Sequence, residues 1–109
     1  MTTEIQTVTT AAELDEVFSE SFTRPVLLFK HSDTCGISMD VLERVSAVIE
    51  DIRLVVVQDD RDISNAIAQR LGIRHASPQA FVLWQGKPVY HATHYGIDPA
   101  AIAEKLAAK

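Results

Sequence analysis

The chain has 109 residues, 47 % of them apolar and 23 % charged, which excludes disordered, collagen-like and coiled-coil classes and suits one domain over residues 1–109. Ten Lys and Arg against fifteen Asp and Glu give a net charge of −5, so no broad attraction for nucleic acid or anionic membrane is expected. The longest apolar runs, Pro25–Phe29 and Leu54–Val57, are far too short to span a bilayer.

Ile5–Val8 reads as a short first strand. Thr10 and Glu13 have capping-box spacing, and Leu14, Val17, Phe18 and Phe22 follow at helical intervals, which predicts a helix over 10–22. Pro25–Lys30 is a continuous apolar run behind a proline, as in a strand buried on both faces. From Ser38 to Asp51 the apolar residues Met39, Val41, Leu42, Val45, Val48 and Ile49 mostly share one helical face. Arg53–Gln58 is β-branched and reads as another buried strand. The charged loop Asp59–Asp62 should cap a helix carrying Ile63, Ala66, Ile67 and Leu71, which Gly72 stops. Gln79–Trp84 and Pro88–Tyr95 flank a hairpin turn at Gln85-Gly86-Lys87. Asp98-Pro99 supplies an N-cap and a first-position proline to a last helix through Ala101–Ala108. The order β-α-β-α-β-α-β-β-α predicts an α/β domain. Strands separated by helices should be parallel neighbours, and the hairpin adds an antiparallel pair to a small mixed sheet with helices on both faces.

Cys35 is the single cysteine, so no intrachain disulfide is possible. With no basic or apolar leader in Met1–Val8, a lone thiol points to the cytoplasm. Cys35 stands where a buried strand gives way to a helix, the usual ligand crevice of an open α/β sheet. Backbone N–H groups and the helix dipole there favour thiolate, and the expected pKa lies below the free value of about 8.5. Ser38, three residues on, should share its face of the first turn and can donate to the thiolate, but cannot form a disulfide. The alternative is a small buried hydrophobe with no chemistry. The polar or small neighbours Ser32, Asp33, Thr34 and Gly36 argue for a partly exposed loop. Ser77-Pro78 stands just before a strand, where a proline needs no special role.

The strand–loop–Cys-x-x-Ser–helix unit with a late Ser-Pro before a hairpin resembles a thioredoxin-fold protein. More narrowly, Phe29-Lys30-His31-Ser32 with Cys35-x-Ile37-Ser38 resembles the monothiol bacilliredoxins of bacillithiol redox systems. So do His75-x-Ser77-Pro78-Gln79, Trp84-x-Gly86-Lys87 and His91–Ile97, and the resemblance runs from about Thr10 to Leu106. It implies a thioredoxin-like fold, Cys35 as nucleophile and Ser77-Pro78 as a cis peptide facing it. The implied activity removes a small thiol, bacillithiol, from S-thiolated client proteins under oxidative stress, with that thiol as co-substrate and no bound cofactor. Thr34, Gly36, Ser77 and Pro78 are then substrate-side candidates and Ser38 assists Cys35; by position alone, His75 before Ser77-Pro78 is a candidate crevice wall, and His94 either contacts a substrate thiol or covers the sheet edge. The family's usual Cys-Pro-Ile-Ser is Cys-Gly-Ile-Ser here, which gives a looser turn and one more backbone N–H.

Two other readings come from different classes. Cys-Gly-Ile-Ser also resembles the Cys-Gly-Phe-Ser of monothiol glutaredoxins, which carry an iron–sulfur cluster between two subunits. One thiolate per chain supplies two of four ligands, and Tyr95-Gly96-Ile97-Asp98 stands where paired glycines would grip glutathione. The third reading is a non-catalytic scaffold. Among the histidines, His91 and His94 are three apart on a predicted strand and should face opposite sides, so no metal site is expected. His31 either tunes the thiolate or is structural. Asp33 would raise the cysteine pKa if near it but reads as a solvated loop charge, and Trp84 reads as core or hairpin packing.

Overall fold

The computed structural model describes residues 3–108. Its strands are β1 (Glu4–Thr7), β2 (Val26–His31), β3 (Asp51–Val56), β4 (Gln79–Trp84) and β5 (Lys87–Thr93), and its helices α1 (Ala11–Glu20), α2 (Gly36–Ser46), α3 (Arg61–Leu71) and α4 (Pro99–Ala107). One 3₁₀ turn, His94–Gly96, follows β5. The sheet order is β1-β3-β2-β4-β5, so β2 is central, and all six of its residues are buried.

Successive β2 residues point to opposite faces, and each face meets two helices. Leu28, with Val55 and Phe81, packs against Leu14, Val17 and Phe18 of α1 and Ile63 and Ile67 of α3. Leu27 and Phe29, with Ile52 and Val82, pack against Val41 and Val45 of α2 and Ile102 of α4. The expected mixed sheet with helices on both faces is the observed one.

The pairing differs from the parallel-neighbour expectation. β1 skips β2 and lies parallel to β3, and only β2 and β3 are parallel neighbours across a helix. β4 runs antiparallel to β2, because the stretch after Gly72 returns the chain to the end of the sheet where β2 finishes. Lys30 therefore pairs with Gln79.

Most boundaries move by a residue or two. Thr10 Oγ1 accepts the Glu13 N–H at 3.1 Å as an N-cap should, but Glu13 reaches back to Thr9 N and Oγ1, at 2.9 and 2.8 Å, rather than to Thr10. Phe22 lies beyond α1 and is 63 % exposed, so it is not part of the core stripe. The face expected over Ser38–Asp51 ends early: α2 stops at Ser46, Met39 and Val48 are exposed, and Asp51 opens β3. Asp60 takes the N-cap position of α3 but makes no side-chain cap. Gly72 closes α3 in the left-handed region at φ 67°, and Asp98 caps α4 through the Ala100 N–H at 3.0 Å. Among the described residues no helix is long and apolar enough to cross a membrane.

Candidate active site

Three chain segments leave the sheet at one end. β2 and β3 are parallel and end there, at His31 and Val56, while β4 begins there at Gln79. The Lys30–Gln79 register places the loop entering α2, with Cys35, at the same edge as Ser77-Pro78. The Ser77-Pro78 peptide is cis, as the resemblance implied.

Cys35 is the N-cap residue of α2, in extended conformation, and is partly exposed. Thr34 and Gly36 beside it are exposed. The sulfur thus stands at the unpaired N–H end of an eleven-residue helix, where a negative charge is favoured.

Ser38 behaves differently from expectation. It is completely buried, and its Oγ lies 2.7 Å from His31 Nδ1 and accepts the Ser32 N–H at 3.0 Å. The hydroxyl bonds the strand end and the loop, so its assignment as a free donor to Cys35 is revised. His31 is buried, and its Nε2 lies 3.0 Å from Asp33 Oδ1. Asp33 is solvent-facing as expected, but it is also the partner of this ring.

A residue that the sequence reading passed over, Gln58, fastens the same loop. Its Nε2 donates to Ser32 Oγ at 2.7 Å and to Thr34 Oγ1 at 2.9 Å, and its Oε1 accepts the Asp33 N–H at 3.3 Å. No periodicity marks such a residue, because it lies just past a strand and works through a polar side chain.

The loop before β4 is held in the same way. Gln79 is completely buried; its Oε1 accepts the Ala76 N–H at 3.2 Å, and its Nε2 donates to Arg74 O at 3.0 Å and lies 2.9 Å from His91 Nε2. His75 is exposed at its rim, with Nδ1 3.2 Å from Lys30 Nζ and 3.1 Å from Ser64 Oγ. Ser77 Oγ is buried without a hydrogen-bond partner among the described residues.

The histidines expected on opposite faces of a strand are not both on it. His91 is on β5, stacked on Phe81 with ring centroids 5.2 Å apart. His94 opens the 3₁₀ turn at φ 52°, and its N–H donates to Pro78 O at 3.0 Å. The left-handed backbone at His94 ends β5 early and carries Tyr95 onto α2, where its hydroxyl donates to Asp40 Oδ2 at 3.1 Å. The hydrogen bond to Asp40, then burial and the charges of Asp40 and Cys35, hold the Tyr95 phenol above its usual range. Tyr95, 56 % exposed, thus joins the rim around Cys35. Among the described residues no group of three or more His, Cys, Asp or Glu could hold a metal ion.

A structure named provisionally as an oxidoreductase with a thioredoxin fold is 28 % identical to this chain, with a TM-score of 0.84 over 93 % of this chain and 92 % of that one. The Malassezia sympodialis thioredoxin Mala s 13 gives a TM-score of 0.75 at 17 % identity, covering 96 % of this chain and 93 % of its own. The Fasciola hepatica thioredoxin gives 0.70 at 18 %, covering 93 % and 95 %. These likenesses establish the thioredoxin fold. The family described as Monothiol bacilliredoxin BrxC matches residues 6–102, nearly the whole chain with Cys35 and Ser77-Pro78 inside it, and the protein therefore belongs to this family of thioredoxin-fold thiol oxidoreductases.

Proposed function

We propose that the protein is a monothiol thiol–disulfide oxidoreductase that removes bacillithiol from S-thiolated client proteins through Cys35. The observation that carries this reading is the placement of the chain's one cysteine, partly exposed, at the N-cap of α2 and at the same sheet edge as Ser77-Pro78. The Cys35 thiolate attacks the small-thiol sulfur of the mixed disulfide. A new S–S bond forms between Cys35 and the small thiol, the old one breaks, and the client cysteine leaves as a thiolate that takes a proton from water. A second small-thiol molecule then attacks the adduct, freeing Cys35 and leaving as the symmetrical disulfide.

The backbone at Ser77 suits strand-like pairing with an extended client segment. Thr34, Gly36, Pro78, His75 and His94 line the approach, and Ser38 holds the Cys35 loop from beneath. The reaction needs no bound cofactor, and a reducing cytoplasm with one thioredoxin-like domain per chain fits it. The test mixes the reduced protein with a bacillithiolated client and reads intact masses. The protein should gain one bacillithiol while the client returns to its unmodified mass. A client that keeps its adduct, or loses it equally fast to Cys35→Ser, overturns the proposal.

A further inference from the structure

Lys30 ends the apolar run of β2 and is completely buried, and its Nζ lies 3.2 Å from His75 Nδ1. Burial draws the lysine down to about 8, so it is still mainly an ammonium, a pure donor, at neutral pH. Ser64 Oγ, from α3, lies 3.1 Å from the same ring nitrogen. An ammonium and a hydroxyl aimed at one nitrogen are satisfied together only if Nδ1 carries no proton. The neutral ring then has its proton on Nε2. Burial, Lys30 and Arg61 all hold His75 below the usual imidazole range, which keeps the ring neutral. With Nδ1 turned against a buried group and the residue itself exposed, Nε2 is the outward nitrogen. Two residues on is Ser77, and Gln79 fixes the stretch between by its bonds to Arg74 O and the Ala76 N–H.

We infer that His75 is a tautomer-locked hydrogen-bond donor to the substrate: Lys30 and Ser64 hold Nδ1 as an acceptor, and Nε2–H serves an oxygen acceptor on the bound mixed disulfide. His75 is then a specificity-determining residue, and Lys30 and Ser64 are positioning residues that act through it. The inference rests on the exchange reaction proposed above. The acceptor belongs either to the client chain beside its cysteine or to the small thiol, and the two sources separate kinetically.

Ring-nitrogen NMR of the ¹⁵N-labelled protein reads the lock without any substrate. The wild type should show His75 as the Nε2–H tautomer, and Lys30→Met should show a mixture. Kinetics with a bacillithiolated peptide then read the donor. His75→Leu should raise KM five- to tenfold with kcat nearly unchanged, Lys30→Met should raise it by a smaller factor, and His75→Gln, which restores a donor, should recover part of the loss. A rise that persists when the same peptide carries a different small thiol assigns the acceptor to the client, and one seen only with the bacillithiolated peptide assigns it to the small thiol. An Nδ1–H tautomer in the wild type, or an unchanged KM for both substrates in His75→Leu, overturns the inference. A wild type with the locked tautomer but no exchange activity ends the proposed reaction, and with it His75's part, while leaving the lock itself established. His75 and Ser64→Ala keep the kinetic test available should Lys30→Met not fold.

Discussion

Ser38 Oγ and His31 Nδ1 are 2.7 Å apart, in a buried hydrogen-bond network at the end of β2. His31 Nε2 lies 3.0 Å from the Asp33 carboxylate, an acceptor only, so this nitrogen carries a proton. Nδ1 of the same ring bonds Ser38 Oγ, which also accepts the Ser32 N–H. One buried hydroxyl thereby ties the end of β2 to the first turn of α2, on either side of Cys35. Ser38→Ala should strand the buried Nδ1 and the Ser32 amide and destabilise the protein by about 1–3 kcal/mol. Urea unfolding reads this, and an unchanged midpoint would show that the bonds are worth nothing net.

Gln58 is exposed, so its contribution is to order rather than to global stability. Gln58→Ala frees Ser32 Oγ, Thr34 Oγ1 and the Asp33 N–H together, all of which water can reach. The expected stability loss is under about 1 kcal/mol, with amide exchange over residues 32–35 faster by about tenfold. Equal exchange rates in that loop would remove Gln58 from the site.

Lys30 gives a pH dependence of known sign. Its folded value is about 8 against an ordinary 10.5, because burial penalises the charged amine. Between these values the folded protein has released a proton that the unfolded chain still holds, so stability rises with pH across the window. The swing attributable to Lys30 is at most about 3 kcal/mol. Lys30→Met should lack it, so the wild type should gain stability relative to Lys30→Met as pH goes from 8 to 10.5. A constant difference refutes the assignment.

The sequence periodicity reveals what the core dictates and little of what the loops do. The apolar run Val26–Phe29 specifies a central strand because both its faces are buried, and Asp98-Pro99 specifies a helix start because cap chemistry is local. The antiparallel placement of β4 was not readable, since it depends on where the stretch after Gly72 ends and not on any local preference. The family pattern points to Cys35, Ser77 and Pro78, and the fold brings their two loops to one end of the sheet. Gln58 and Gln79 were not readable, because each acts through amide bonds to residues distant in sequence or hidden in a loop. Lys30 did leave a signal: a charge closing a buried apolar run needs a partner, and His75 and Ser64 are the groups found there.

Gly36 begins α2, at the position where the resemblance implied a proline. Cys35 before it sits at φ −106° and ψ 117°, the extended region that a following proline requires. A Cβ at Gly36 meets nothing within 4 Å. At the first helical position the missing N–H breaks no helix bond. Gly36→Pro should therefore fold normally and gain about 0.4–1 kcal/mol by restricting the unfolded chain. Thermal unfolding checks this, and a loss of stability would mean that the Gly36 N–H or its freedom is used.

The wild type has no second thiol, so once Cys35 has taken a small thiol from a client it can only wait for another. An adduct of one small thiol should accumulate when no free thiol is supplied, and addition of bacillithiol should discharge it. Ser38 sits three residues beyond Cys35, buried under the first turn, and Ser38→Cys places a sulfur at that position. That sulfur can attack Cys35 Sγ, expel the small thiol and close an internal disulfide, provided the loop yields once the bonds to His31 and Ser32 are weakened. Ser38→Cys should therefore lose the adduct and finish two hydrogens lighter than its reduced form, while Cys35→Ser never acquires a modification. Intact masses separate the three outcomes in one experiment. A persistent adduct on Ser38→Cys would show that the bonds around Ser38 keep the two positions apart, and an adduct on Cys35→Ser would remove Cys35 as the nucleophile.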